Sequence, residues 1–335
     1  MNRREILRLC AGAFATSTAV ATPAWSITMQ NKTETVRVGV LMNGTASWEM
    51  KVIQDLKLDQ KHKFKLELKD VSGKDASHVA LMAGDVDIVL SDFVWVAALR
   101  AAGEDFTSVP HSFAVGGLMV RPDGPIQSIE DLPGKTIGVA GGPVDKSWVI
   151  LQAYYKSQTG ETLADKVDAR FGAPPLINEL LTEEQIDASL NFWHFNARAK
   201  AAGAKELISV KDMMGAMGIT DQPPLLAWVF RDETAKKRRK AVKSFLDASF
   251  AAKKILLEDD AIWDTLRDKM GAADNDALFT ALRDDYRAGI MQEFNDASVE
   301  AARASFAIMS EVGGSDLVGD ATEMDPGTFW SGFRK

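Results

Sequence analysis

The sequence predicts an α/β protein built as two similar lobes, each a mostly parallel sheet with helices on both faces. Three observations predict it. Short β-branched runs alternate with helical stretches from residue 36 to residue 102, an order that needs parallel strands joined by crossover helices. The same order restarts at residue 135. Residues of the two passes also match at one offset of 100: Leu81 with Leu181, Val86 with Ile186, Asp87 with Asp187, Leu90 with Leu190, and Ser47-Trp48 with Ser147-Trp148.

Each element follows from local pattern. Val36–Leu41 (VRVGVL) reads as a buried strand, followed by a loop over residues 42–47 and a helix running through Trp48 to about Leu56, with Thr45 or Ser47 as its cap. Phe64–Asp70 alternates apolar and charged residues, as a strand with one exposed face does. A helix from Asp75 to Ala83 stops at Gly84; Val86–Leu90 is the next strand and Phe93–Ala102 the next helix. In the second pass Lys135–Ala140 is a strand, Gly141–Lys146 a loop, and a helix begins at Ser147. Gly116–Arg121 and Leu225–Arg231 are extended apolar runs bordered by Pro122 and by Pro223-Pro224, placed where the chain would cross between lobes. Lobe 1 is therefore expected at 35–119 plus 227–335, with the C-terminal helices, and lobe 2 at 120–226. The basic run Ala235–Lys240 reads as a solvated helix face.

The N-terminal residues look like an address. Residues 2–8 are basic, Leu9–Val20 is a short apolar run, and Ala24-x-Ser26 puts small residues where a signal peptidase cuts. Residues 1–26 are thus expected to be a signal peptide cleaved near Ser26. Arg3-Arg4 fits either a twin-arginine signal or a plain secretory one. Cys10 follows Leu9, where a lipoprotein signal needs a small residue, which speaks against lipidation. Cleavage removes three Arg, one Glu and the single Cys, leaving 36 basic residues against 46 acidic ones. A thiol-free chain bound for an oxidising compartment must rely on core burial, and a bacterial periplasm fits. The acidic balance argues against nucleic acid as partner.

Three motifs carry a resemblance: Ala80–Ile88 (ALMAGDVDI), Ile126–Gly138 (IQSIEDLPGKTIG) and Gln185–Trp193 (QIDASLNFW). In that order they resemble the nitrate/sulfonate/taurine-type periplasmic solute-binding proteins of ABC importers, a family that includes binders of thiamine-pyrimidine precursors. The resemblance covers roughly residues 35–270. It implies the two-lobed periplasmic-binding-protein fold (type II), with two crossing strands and a solute held in the interlobe cleft. One departure is Glu184, which stands where the family's second motif usually has Gly. Asp87 and Asp187 correspond to the family's buried Asp and are expected to tie strand edges together, not to touch solute.

In such sheets ligands lie beyond the carboxyl ends of the strands. That selects the segments 42–48, 91–95, 141–148 and 191–194, and from them the candidate ligand-binding residues. In the first two these are Asn43, Thr45, Ser47, Trp48, Ser91 and Asp92. The third supplies Gly141, Gly142, Asp145, Lys146, Ser147 and Trp148, and the fourth Asn191, Trp193 and His194. Two segments lead into helix N-termini, which favour an anion, and Gly141-Gly142 lets backbone donors approach closely. Lys146 either meets an anion there or points to solvent. Trp48, Trp148 and Trp193 are candidate stacking platforms, whereas Trp95 is expected in the core. Asp92 and Asp145 add negative charge, so a zwitterion or an amino-substituted heterocycle would use groups that bare nitrate would not need. His194 is either a donor to a ligand oxygen or a satisfied hinge residue.

No enzyme signature is present. His62, His78, His111 and His194 lack metal-ligand spacing, and neither a G-x-S-x-G elbow nor a Walker loop occurs. No metal and no cofactor is expected. The sequence reads as the monomeric, periplasmic solute-binding component of an ABC importer. Its solute is a small anionic or zwitterionic organic molecule, sulfonate- or taurine-like or pyrimidine-like, delivered to an inner-membrane permease. The alternatives are a two-lobed periplasmic sensor or accessory protein without an importer, or a small-molecule lyase or isomerase on the same fold.

Overall fold

The computed structural model describes residues 33–41 and 44–335. The signal peptide and Asn43 therefore lie outside the described residues. Among the described residues, ten strands form two five-stranded sheets. The first pass gives β1 (Glu34–Leu41), α1 (Ala46–Asp55), α2 (Leu58–Lys61), β2 (Phe64–Val71), α3 (Lys74–Met82), β3 (Ile88–Asp92), α4 (Phe93–Ala101) and β4 (Phe106–Ser112). The second gives β5 (Gly117–Val120), β6 (Thr136–Ala140), α5 (Lys146–Thr159), β7 (Asp168–Gly172), α6 (Pro174–Thr182), β8 (Ala188–Asn191), α7 (Trp193–Ala201), β9 (Lys205–Ser209) and α8 (Val210–Ala216). β10 (Leu226–Arg231) follows, then α9 (Asp232–Lys237), α10 (Arg239–Glu258), α11 (Ala261–Asp264), α12 (Arg267–Met270), α13 (Asp276–Ala288) and α14 (Asp296–Val318), the last broken at Gly314.

The first sheet runs β2-β1-β3-β10-β4 and the second β7-β6-β8-β5-β9. β1 pairs in parallel with β2 and β3, and β6 with β7 and β8. In each sheet one strand is antiparallel, and it is the one the chain enters after crossing: β10 between β3 and β4, β5 between β8 and β9. These are mixed sheets in two lobes, as expected of the type II fold. Because β5 pairs wholly within the second sheet, residues 117–119 lie in lobe 2, a few residues before the expected boundary.

The offset seen in sequence is carried by the backbone. α3 and α6 begin at 74 and 174 and end at 82 and 182; α4 and α7 span 93–101 and 193–201. Asp87 and Asp187 do the same job. Each donates its own N–H to a parallel neighbour, Asp87 to β1 and Asp187 to β6, and accepts that strand's N–H on a carboxylate oxygen, Arg37 at 2.8 Å and Thr136 at 2.9 Å. Such a carboxylate extends the ladder where the strand proper has not begun.

The two crossings lie side by side. Gln222 donates to the Phe113 carbonyl at 2.8 Å, and Phe113 N–H donates to the Gly289 carbonyl at 2.9 Å. Gly116 cannot carry a side chain: a Cβ would sit 1.6 Å from the Asn191 carbonyl oxygen. The C-terminal helices brace both lobes, α10 against α1 and the first sheet, α13 against α7, and α14 against both α4 and α5. Among the described residues, no helix is long and apolar enough to cross a membrane.

Candidate functional site

The carboxyl ends of β1, β3, β6 and β8 face one another between the lobes, and two contacts join them. The first is aromatic. Trp48 on α1 meets Trp193 on α7 edge to face, with ring centroids 6.0 Å apart. Tyr286 on α13 touches both, at 5.7 Å and 5.9 Å, and Trp263 on α11 closes the group behind Trp48 and Tyr286. Edge and tilted contacts are the arrangements ring quadrupoles favour. Two polar atoms on residues adjoining these tryptophans in sequence are buried without a partner among the described residues, Ser47 Oγ and His194 Nδ1, and the His194 ring lies 5.5 Å from that of Trp193. Burial, with the Arg198 guanidinium, brings His194 down to about 3, so its ring is neutral and carries one donor and one acceptor.

The second contact is ionic. Asp92 caps α4, accepting the Trp95 N–H at 2.8 Å, and its other oxygen receives Lys74 at 3.1 Å and Lys146 at 3.0 Å. Lys146 belongs to lobe 2, so this bridge spans the lobes. Burial opposes the charge on Asp92, but Lys146 and Lys74 overcome it and hold the carboxyl well below the usual range. Burial lowers Lys146 against the pull of Asp92, whereas Asp92 raises Lys74.

Most of the remaining predicted residues are engaged within their own lobes. Asp145 caps α5, accepting the N–H groups of Ser147 (2.9 Å) and Trp148 (3.4 Å), so the anion expected at that helix start is the protein's own. Burial raises the Asp145 carboxyl. Gly141, at φ +95°, gives its N–H to the Gly172 carbonyl, and Gly142 accepts from Asp145 N–H. The Gly141 donor is engaged, contrary to the expectation that it is offered to a ligand, while Gly142 contributes its carbonyl to the turn. Asn191 donates to Pro174 O and Asn178 Oδ1 and accepts from Phe192 N–H, all within lobe 2. Ser91 is bonded to His78, which stacks flat on Trp95. Trp148 is buried against Phe171 and takes no part in the aromatic group. Thr45 precedes α1 without a side-chain cap bond. Open cavities among the described residues lie elsewhere. One of about 360 Å³, lined by Arg121, Leu181, Glu184 and Ala202, sits at the opposite end of the second sheet. Another of about 310 Å³ lies beside α8, and one of about 420 Å³ lies by the crossings at Phe113 and Gln222.

Sequence reasoning missed what stands behind Trp48. Glu49 is fully buried; it accepts from Ser249 at 2.5 Å, His111 at 2.9 Å and Lys253 at 3.0 Å, and Tyr286 reaches it at 3.5 Å. Burial works against its charge, but Lys253 and His111 bring the carboxyl down to about 2. Glu49 thus ties the Trp48 helix to α10 and to the Tyr286 ring. A Glu following the first cleft Trp was the available signal; Tyr286 and Trp263 lie in the unduplicated C-terminal helices and had none.

The sequence profile of the NMT1/THI5-like family matches residues 60–260. The chain belongs to this family. That agrees with the resemblance carried by the three motifs. No curated protein matches the chain. Among solved structures, it is similar to the alkanesulfonate-binding protein SsuA of Xanthomonas axonopodis pv. citri bound to MOPS, at 16% identity over 88% of this chain and 98% of that one, with a TM-score of 0.69. It is also similar to the periplasmic aliphatic sulphonate binding protein SsuA of Escherichia coli (15%, 89% and 99%, TM-score 0.66). A Bordetella bronchiseptica RB50 structure matches likewise (17%, 89% and 94%, TM-score 0.67). At these identities the likeness establishes the fold this NMT1/THI5-like chain shares with them.

Proposed function

We propose that this protein is the exported solute-binding component of an ABC importer, working in the periplasm as a monomer without catalysis, cofactor or metal. Its solute is a flat, uncharged heteroaromatic molecule of pyrimidine type, taken between the rings of the two lobes. Family membership and a fold shared with periplasmic sulfonate binders support the general role. One observation carries the choice of solute: Trp48 and Trp193 come from opposite lobes and meet with Tyr286, while the cations and helix-start donors that a sulfonate would want are engaged by Asp92 and Asp145.

The mechanism is a population shift. When the lobes part, Trp48 separates from Trp193; a planar solute between them replaces one ring contact by two, and Ser47 Oγ and the neutral His194 ring lie beside it with hydrogen-bonding capacity to spare. Closure around solute is the shape a permease would recognise. A taurine-like solute would instead require Asp92 and Lys146 to release each other. A sensor role would share this geometry and differ in having no permease and ATPase encoded beside it.

The test is tryptophan fluorescence and thermal shift on residues 27–335 with an aminopyrimidine and with taurine. The aminopyrimidine should quench fluorescence and raise the melting temperature, since a ligand of the native state alone stabilises it. Trp193→Ala should weaken that binding at least about tenfold, the loss of one stacked aromatic face. Stabilisation by taurine and not by the pyrimidine would sink this reading.

A further inference from the structure

The ionic contact between the lobes has an order that a simple salt bridge lacks. Asp92 is nearly inaccessible, at 4% exposure, yet both ammonium groups at the cleft reach the same oxygen, Lys74 from its own lobe and Lys146 from the other. Its second oxygen is fixed by the cap bond to Trp95 N–H, so the carboxylate cannot turn away. Asp145, the other acid here, is turned into its own helix and bonded to two N–H groups. At the offset of 100, the counterparts of Asp92 and Lys146 are Phe192 and Ala46. The carboxylate is therefore supplied by one lobe alone and the interlobe ammonium by the other alone.

We propose that Asp92 is the charge-selecting residue of the cleft: it occupies Lys74 and Lys146 so that an anionic solute finds neither ammonium free, and it thereby turns a fold shared with sulfonate binders toward uncharged solutes. This rests on the proposed solute-binding role. A sulfonate entering the cleft must take the lysines from Asp92 and leave a buried carboxylate without a cation, one of the least favourable outcomes inside a protein. An uncharged ring leaves the pair intact.

The experiment removes the charge and keeps the cap. Asn is as good a helix cap as Asp, so Asp92→Asn should retain the Trp95 bond while freeing both ammonium groups. Titration calorimetry at low salt should show D92N binding ethanesulfonate at least about tenfold more tightly than the parent, with the gain shrinking as salt is added. The double variant D92N/K146M should lose most of it. The parent itself should prefer the uncharged ethanesulfonamide to ethanesulfonate. A folded D92N that gains nothing overturns the proposal, as does a parent that binds ethanesulfonate more tightly than the sulfonamide; the second comparison needs no variant. Failure of the pyrimidine to bind the parent, with the ethanesulfonate gain present, would remove the proposed solute and leave the role of Asp92 standing.

Discussion

The two lobes copy each other in backbone and differ in a handful of side chains, and those differences are where the chemistry is. Behind the shared Ser-Trp pair, lobe 1 buries Glu49 and lobe 2 buries Val149. The residue opening the following helix position is Phe93 in one lobe and Trp193 in the other, and the next is Val94 or His194. Where lobe 1 ends its third helix with Gly84, lobe 2 uses Glu184. A duplicated scaffold needs the repeated residues: the Asp87 and Asp187 ladders, and buried Leu81 and Leu181. What is not repeated is free to specialise, so exchanging a residue for its counterpart asks whether the asymmetry serves the fold or the site.

Glu49→Val should have the largest effect. It removes the anion from Lys253 and His111, both fully enclosed in lobe 1, and leaves a buried ammonium with only Ser249 as partner. Breaking a buried pair from one side typically costs about 3–5 kcal/mol, to be read from the urea midpoint. Adding Lys253→Met should restore much of the loss, since two apolar residues replace the pair without an orphaned charge. A small effect of Glu49→Val alone would mean that lobe 1 does not depend on its charge cluster.

Replacing His194 by Val, the residue lobe 1 uses, should act on pH dependence. The unfolded imidazole takes its proton near 6.5 and the folded one near 3. Between those values the unfolded chain binds more protons, so the parent's stability is full above pH 6.5 and declines as the pH falls toward 3. His78, brought down to about 4 by burial and Lys74, contributes in the same direction and remains in the variant. H194V should therefore flatten the fall in melting temperature between pH 6.5 and 4 without abolishing it. An unchanged slope would place the missing protons elsewhere.

Much of the fold was legible because burial and backbone geometry repeat. Strand runs, the helix stops and the offset of 100 depend on residues whose neighbours in sequence already state the pattern. The site was legible only by address. The strand-end rule reached Trp48, Asp92, Lys146, Trp193 and His194, but it could not distinguish groups with bonding capacity to spare from groups satisfying each other. Asp145 and Asn191 lie at the right address and spend their bonds on their own lobe. Tyr286 and Trp263 reach the cleft from α13 and α11, where no repeat or motif marks them. Long-range pairing of this kind is decided by packing across the lobes, which local sequence does not encode.

The smallest effect is expected where the lobes share a backbone conformation and differ only in the residue that holds it. Glu184 holds φ at +60°, the left-handed region, at the position where lobe 1 has Gly84 at +76°. Its backbone does what the glycine does: the N–H of Gly84 bonds to Leu81 O, and that of Glu184 to Leu181 O. An L-residue in that conformation is strained by about 1–2 kcal/mol, while glycine loses more chain entropy on folding, so the two terms partly offset. Glu184→Gly should stabilise lobe 2 by up to about 1 kcal/mol, measured by urea denaturation, with solute binding unchanged because the turn lies at the end of the second sheet away from the cleft. A clear destabilisation would mean that the Glu184 side chain contributes a contact worth more than the strain its backbone carries.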